Sequence, residues 1–209
     1  MKLLHVGATG LVGGHVLSLA LAHPRVERVT APTRRPLDAH AKLVNPVVDF
    51  EHLPEDADWW AADGVVCTLG TTRAKAGSDQ AFRQVDLDYP LAVARIAYRH
   101  GARAFALNSA LGADADSRIL YSRTKGELER ALADVGFASL AFVRPGLIGG
   151  DRAEFRAGER AASALLRTLA PLLPRRYRIN PAAKVAAALL DAVVDPQPGR
   201  HVVGSEQLA

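Results

Sequence analysis

The chain has 209 residues, 49% of them hydrophobic and 23% charged, with a formal net charge of +4 at pH 7. That suits one α/β domain with a real core. It offers no run of about 18 apolar residues for a membrane helix, and no signal peptide is expected because a strand begins almost at Met1. A single cysteine, Cys67, rules out an internal disulfide framework and leads us to expect a reducing, cytoplasmic setting.

Leu3-Leu4-His5-Val6 reads as a short buried strand. A glycine-rich bend follows, after which Leu11, Val12, Val16, Leu17 and Leu19-Ala20 recur at helical spacing. Strand, glycine turn and helix form the context in which such glycines bind a dinucleotide. Gly7 would make the tight turn, Gly10 would let the backbone approach a pyrophosphate, and Gly13 would let the helix pack against the strand. The phosphates would then meet the helix N-terminus. The spacing is G-x-x-G-x-x-G, a variant of G-x-G-x-x-G. A glycine turn without a ligand is the alternative.

A second strand is expected from Val26 to Ala31, leading into Pro32-Thr33-Arg34-Arg35-Pro36. In an NAD site an acid here binds the ribose 2′-OH and repels a 2′-phosphate. This chain has two arginines instead, and a guanidinium pairs with phosphate and stacks on adenine, so NADP(H) is expected over NAD(H). Arg34 and Arg35 as solvated loop charges is the other reading. Val44 to Val48 looks like a third strand, with Asp49 placed either to bind the adenine amino group or to cap a turn. Glu51 to Ala62 reads as a short helix whose Trp59-Trp60 pair packs on the sheet.

Asp63 to Thr68 is the fourth strand, followed by a ten-residue polar loop, Leu69 to Ser78, facing the ligand crevice. Cys67 is read as a buried strand residue near the cofactor, not as a nucleophile. Gln80 to His100 reads as a long amphipathic helix with Phe82, Val85, Leu91, Ala94 and Ala97-Tyr98 inward, and a kink or break at Pro90. Arg103 to Leu107 is a fifth strand ending in Asn108-Ser109. A helix runs from about Arg118 to Val135, and Ala138 to Val143 is a sixth strand leading into Arg144-Pro145-Gly146. Beyond lie a helix near Glu154 to Leu169, a basic turn Pro174 to Arg178, an alanine-rich helix Pro181 to Val194, and an edge strand at His201-Val202-Val203. The basic turn is either a solvated feature or a contact for an acidic partner. Alternating strands and helices argue a doubly wound parallel α/β sheet in one domain, residues 1–209, with 150–180 as a small substrate-side segment.

Three residues then stand out: Ser109 at a strand end, and Tyr121 and Lys125 one turn apart on the next helix. Their spacing puts the phenol and the ammonium on one helical face. A phenol of ordinary pKa about 10 is a poor base at neutral pH, and a nearby ammonium favours the phenolate. Proton exchange with an alcohol or carbonyl becomes feasible, with Ser109 able to hold the same substrate oxygen. With 4 Tyr and 5 Lys in the chain, a Tyr-x-x-x-Lys arises by chance about one time in ten, so its position after the fifth strand is what makes it informative. The alternative makes Tyr121 a surface residue and Lys125 a helix charge.

Cys67-Thr68-Leu69-Gly70-Thr71-Thr72-Arg73, Asn108-Ser109-Ala110-Leu111-Gly112-Ala113, Tyr121-Ser122-Arg123-Thr124-Lys125-Gly126-Glu127-Leu128-Glu129 and Val143-Arg144-Pro145-Gly146 together resemble the short-chain dehydrogenase/reductase superfamily. Within it they resemble the atypical or extended branch that contains the Tat-interacting protein, from Lys2 to about Val194. The resemblance implies a Rossmann fold, NADP(H) across the crevice, and Ser109, Tyr121 and Lys125 as the catalytic set. It also implies Gly7, Thr9, Gly10, Leu11, Val12 and Gly13 around the pyrophosphate and Arg34 and Arg35 at the 2′-phosphate. Leu69 and Gly70 fall to the adenosine half and Pro145, Gly146, Leu147 and Ile148 to the nicotinamide side, with Asp49, Thr71, Asn108, Tyr121 and Lys125 as further expected cofactor contacts.

Two departures are visible. Asp86 stands where standard reductases carry a relay asparagine, and only about sixty residues follow Gly146, so a small or open substrate pocket is expected. The function expected is NADP(H)-dependent oxidoreduction of a small carbonyl or alcohol. The alternatives are a non-catalytic NADP(H)-binding regulatory module and nucleotide-sugar epimerisation. The partner expected is an unassigned small-molecule substrate, with no metal, nucleic acid or membrane, and with oligomeric state left open, a homodimer included.

Overall fold

The structure is a computed structural model of the full chain, and it describes residues 1–149 and 174–209. The helix expected near Glu154 to Leu169 lies outside the described residues.

Strands β1 (Lys2–Val6), β2 (Arg28–Thr30), β3 (Leu43–Val44), β4 (Gly64–Cys67), β5 (Ala104–Asn108), β6 (Ser139–Arg144) and β9 (Gly199–Gly204) form, among the described residues, one sheet in the order β3-β2-β1-β4-β5-β6-β9. Every pairing in it is parallel. The order reverses between β1 and β4, and that reversal opens a crevice at their carboxyl ends. Two short strands, β7 (Ile148–Gly149) and β8 (Asn180–Pro181), pair separately beside it.

Both faces of the sheet are covered, which is why its strands read as nearly continuous apolar runs. One face carries α1 (Leu11–Ala22) and α6 (Ala182–Val194). There Val12, Val16 and Ala20 meet Val185, Leu189 and Val193 over Leu3, Val66, Ala104, Ala106 and Ala141. The small side chains on this face of β5 and β6 let the alanine-rich α6 sit close. The other face carries α4 (Tyr89–Arg99) and α5 (Leu120–Ala133), where Val93, Ile96, Leu128 and Leu132 pack on Val65, Phe105, Leu107 and Phe142. The period-two alternation of β5, Phe105 and Leu107 to one side and Ala104 and Ala106 to the other, produces this division.

Four expectations are corrected. Residues 51–62 form no long helix; a single 3-10 turn, Asp58–Trp60, stands there. Pro54 lacks an N–H and holds the preceding residue extended, and its carbonyl accepts the Ala57 N–H at 3.2 Å and the Trp60 indole at 2.8 Å. The polar loop after β4 contains a turn of helix, α2 (Arg73–Ala76), capped by the Thr72 hydroxyl and ended by Gly77 at φ +84°. The third strand is only Leu43–Val44, with Val47 making an isolated bridge to Thr33.

Pro90, lastly, does not break its helix, and the disturbance expected there takes the form of a π turn. Helix α3 (Asp79–Arg83) continues through a π turn, Gln84–Asp88, straight into α4. A proline ring collides with the carbonyl four residues earlier, and the wider π turn, closed by Tyr89 N–H on the Gln84 carbonyl, absorbs the conflict. Phe82, Asp86 and Pro90, four residues apart, are buried, while Val85 and Leu91 are half-buried.

Candidate functional site

The glycine turn lies at the crevice. Gly7 has φ +93°, and a Cβ there would stand 2.6 Å from the Thr68 carbonyl carbon, so both the backbone conformation and β4 demand glycine. A Cβ on Gly13 would stand 2.0 Å from the Gly7 carbonyl oxygen, which is the close helix–strand approach expected of the third glycine. Gly10 is exposed, and a Cβ there would meet just the Gly7 oxygen at 3.4 Å. Its outer face, with Thr9 exposed beside it, is open to a ligand. No side chain caps α1 and no acid stands in its first turn, so its leading N–H groups and dipole face the crevice, an arrangement that fits a diphosphate. Leu11 is half-buried and Val12 buried in the core, which leaves their backbone to meet a ligand.

Beneath the turn lies a residue the sequence reading overlooked. The His5 imidazole is fully buried, with Nε2 3.0 Å from the Gly13 carbonyl and Nδ1 3.3 Å from that of Val66. It ties the first turn of α1 to β4. Burial drives its pKa below the ordinary histidine value, although both carbonyls pull the other way. An apolar-looking strand interrupted by a histidine was the available signal.

Arg34 and Arg35 are exposed beyond β2. Asn45 braces their loop: its Nδ2 donates to the Ala31 carbonyl at 2.6 Å and its Oδ1 accepts from Leu37 N–H at 2.7 Å. Asp49 takes the turn role: Oδ1 accepts the Glu51 N–H at 2.9 Å and Oδ2 faces His52 Nδ1 at 3.0 Å. Leu69 and Thr71 are half-buried and Gly70 is exposed.

Tyr121 and Lys125 share one face of α5. Tyr121 is 44% exposed, and its ring lies 6.1 Å from the Phe82 ring. Lys125 is buried, not a surface charge. Its Nζ stands 2.8 Å from Asp86 Oδ1, with the two side chains 4% and 1% exposed. The other oxygen, Asp86 Oδ2, accepts the Thr71 N–H at 2.7 Å. Desolvation pulls the Lys125 pKa down, but the carboxylate of Asp86, with smaller help from Tyr121 and Cys67, outweighs it and leaves the net shift upward. Cys67 is buried below, its thiol pushed up to about 12 by desolvation, in keeping with a strand residue that is not a nucleophile.

The Ser109 hydroxyl is engaged by a carboxylate. Ser109 Oγ donates to Glu129 Oε1 at 2.5 Å, and Glu129 lies two turns, about 12 Å of helix rise, below Tyr121. Arg144 closes this network: Nε donates to Glu129 Oε1 at 3.0 Å, and Nη2 pairs with Oε2. Asn108 is half-buried at the end of β5, with its Oδ1 buried and unpartnered. The Pro145 to Ile148 segment is clamped: Asn180 Oδ1 accepts the Gly146 N–H at 2.7 Å and the Ser205 hydroxyl at 2.9 Å, and the Pro145 carbonyl accepts the Leu111 N–H at 2.7 Å. The basic turn forms a 3-10 segment, Arg175–Tyr177, in which the Arg176 guanidinium stacks on Tyr177 at 4.7 Å. Of the residues that hold the site, Asp86 was visible in the sequence as a departure from the relay asparagine, whereas Glu129, Asn180 and Ser205 gave no signal read as functional, beyond Glu129 recurring at i+8 on the Tyr121 face.

A parallel doubly wound sheet with a glycine turn at its switch point defines a Rossmann-like α/β fold, and a Tyr-x-x-x-Lys pair stands on one face of α5. No protein-family model matches the chain. It is 37% identical over 200 residues to protein HTATIP2 of Rattus norvegicus, covering 93% of this chain and 82% of that one. It is 35% identical over 196 residues to the mitochondrial protein fmp52-1 of Aspergillus terreus, covering 90% and 78%. The chain belongs to this HTATIP2 and FMP52 family. Among solved structures, a short-chain dehydrogenase/reductase superfamily protein of Agrobacterium tumefaciens with bound NAD matches at TM-score 0.71 and 14% identity, covering 98% of this chain and 77% of that one. MoeE5 in complex with UDP-glucose and NAD matches at 0.74 and 18%, covering 98% and 76%; at such identities the likeness is one of fold. The expected cytoplasmic location is corrected by these relatives: several FMP52 proteins are named as mitochondrial, and a lone cysteine reports a reducing environment without distinguishing compartments.

Proposed function

We propose that the protein is an NADP(H)-dependent oxidoreductase acting on a small carbonyl or alcohol. The observation that carries this reading is the exposed Tyr121 phenol backed by a buried, charge-paired Lys125 at the mouth of a glycine-turn crevice. The bound nicotinamide would supply or accept the hydride. The chain's own residues would do the rest. The backbone of Gly7 to Gly13 and the head of α1 would hold the diphosphate, and Arg34 and Arg35 the 2′-phosphate. Tyr121 would give its proton to the carbonyl oxygen during reduction and take one from the alcohol during oxidation. Lys125 would favour the phenolate left behind. Pro145 to Ile148, clamped by Asn180, would form the wall on the nicotinamide side. Nucleotides that co-purify are expected to be NADP(H), read by absorbance and mass. A panel of small carbonyls is expected to be reduced with NADPH faster than with NADH. Preference for NADH, or absence of turnover, would overturn the reading.

A second reading, a non-catalytic NADP(H)-binding module, is favoured by one observation: Ser109, the hydroxyl expected beside the phenol, is spent on Glu129. It expects tight NADPH binding, no turnover of any carbonyl, and a partner affinity that changes with cofactor.

A further inference from the structure

We infer that Asp86 is a positioning residue for the Tyr121–Lys125 pair: it keeps the buried Lys125 charged and ties it to the backbone of the Leu69–Thr72 loop. The inference rests on the function proposed above, but it concerns a different residue and has its own readout.

A lysine as buried as Lys125 loses its charge unless an opposite charge stays with it. The ionisable groups acting on its ammonium are Asp86 from the π turn, Tyr121 from its own helix and Cys67 from β4. A thiol pushed up to about 12 is neutral at working pH, and the phenol must be protonated to act as an acid. The neighbouring carboxylates are committed: Glu127 takes Arg83 at 2.6 Å, and Glu129 takes Arg144. Asp86 is therefore the counter-charge. Its second oxygen holds the Thr71 N–H, and a Cβ on Gly70 would stand 3.3 Å from Asp86 Oδ1 and 3.8 Å from Lys125 Nζ. The loop thus lies directly over the ion pair, and one carboxylate fixes both. Asp86 stands four residues from both Phe82 and Pro90, all three buried, so its helix carries it on the inward face.

The test is a titration of 13Cε-labelled lysine by NMR from pH 6 to 10, with Lys125 assigned through Lys125→Arg. In the unmodified protein the Lys125 signal is expected to stay protonated throughout. In Asp86→Asn, which keeps the shape and the bond to Thr71 but loses the charge, Lys125 is expected to deprotonate at lower pH than the other four lysines. Identical Lys125 titrations in the two proteins would overturn the inference. If Asp86→Asn does not fold, adding Lys125→Met is expected to restore the fold by removing the unpaired charge; a double variant no more stable than the single one overturns it equally. Where turnover is measured, the alkaline limb of kcat/KM is expected to move to lower pH in Asp86→Asn. A merely structural role would lower activity at every pH. A protein that reduces no carbonyl at all would defeat the proposed function and leave the lysine titration to decide the role of Asp86.

Discussion

Lys125 and Glu129 stand one turn apart on the same face of α5, and each meets an opposite charge from another element. The chemistry is the same and the outcome differs. The upper pair, Lys125 with Asp86, is almost dry at 4% and 1% exposure, yet it adjoins an exposed phenol and a crevice loop. The lower pair, Glu129 with Arg144, is 7% and 33% exposed and turns inward on Ser109. A buried ion pair costs desolvation that its attraction barely repays. The upper pair has a use for its charge, in the acid–base work assigned to Tyr121. The lower pair pins the end of β6, where the Pro145 segment begins, to the helix.

The comparison can be broken at several points. Lys125→Met strands Asp86 without a cation and is expected to lower stability by about 3–5 kcal/mol, read by urea unfolding near pH 7, and to remove turnover. A cost no larger than that of Glu129→Gln would show that the two pairs are equivalent. The exposed cations of the crevice rim, Arg34 and Arg35, are expected to behave oppositely. Replacing both by Ala should leave stability unchanged while weakening NADP by roughly 10- to 100-fold relative to NAD, the scale of a charge-assisted contact. Equal weakening of both nucleotides would remove these residues from the 2′-phosphate.

Smaller effects sharpen the lower pair. In Glu129→Gln the half-exposed Arg144 regains water, and a loss of about 1–3 kcal/mol is expected by thermal unfolding. Ser109→Ala should cost about 1 kcal/mol and leave kcat/KM within about threefold; a fall of about 100-fold would return Ser109 to the catalytic set. The smallest effect belongs to His5. Its pKa in the folded protein is lowered, so the unfolded chain binds the proton more readily. Stability is then complete above the unfolded value of about 6.5 and declines as pH falls below it. His5→Leu should remove that part of the acid sensitivity, as measured by unfolding at pH 5 and pH 7.5.

Much of this molecule can be read from its residues. The glycines of the first turn, the alternation of strands and helices and the Tyr121–Lys125 face all follow from local spacing, and local spacing survives folding. What was not read is of two kinds, local signals that composition masks and one contact between residues distant in the chain. The Glu51 to Ala62 stretch has helical composition, but Pro54 converts it to turns. Asp86 lies four residues from buried Phe82 and from buried Pro90, but a search for apolar residues at helical spacing passes over a carboxylate and takes its neighbour Val85 instead. Ser109 lies at the right strand end, but which group its hydroxyl meets is set by how deep α5 sits against β5 and β6, and Glu129 lies at that depth.

The central claim, that Tyr121 backed by Lys125 exchanges a proton with a substrate held beside a bound nicotinamide, is tested most directly by Tyr121→Phe. NADPH affinity and hydride transfer to an accepted carbonyl should be measured side by side in the variant and the unmodified protein. The account expects unchanged NADPH affinity with turnover reduced by about 100-fold or more, the contribution of a positioned acid. Equal turnover in the two proteins would contradict it.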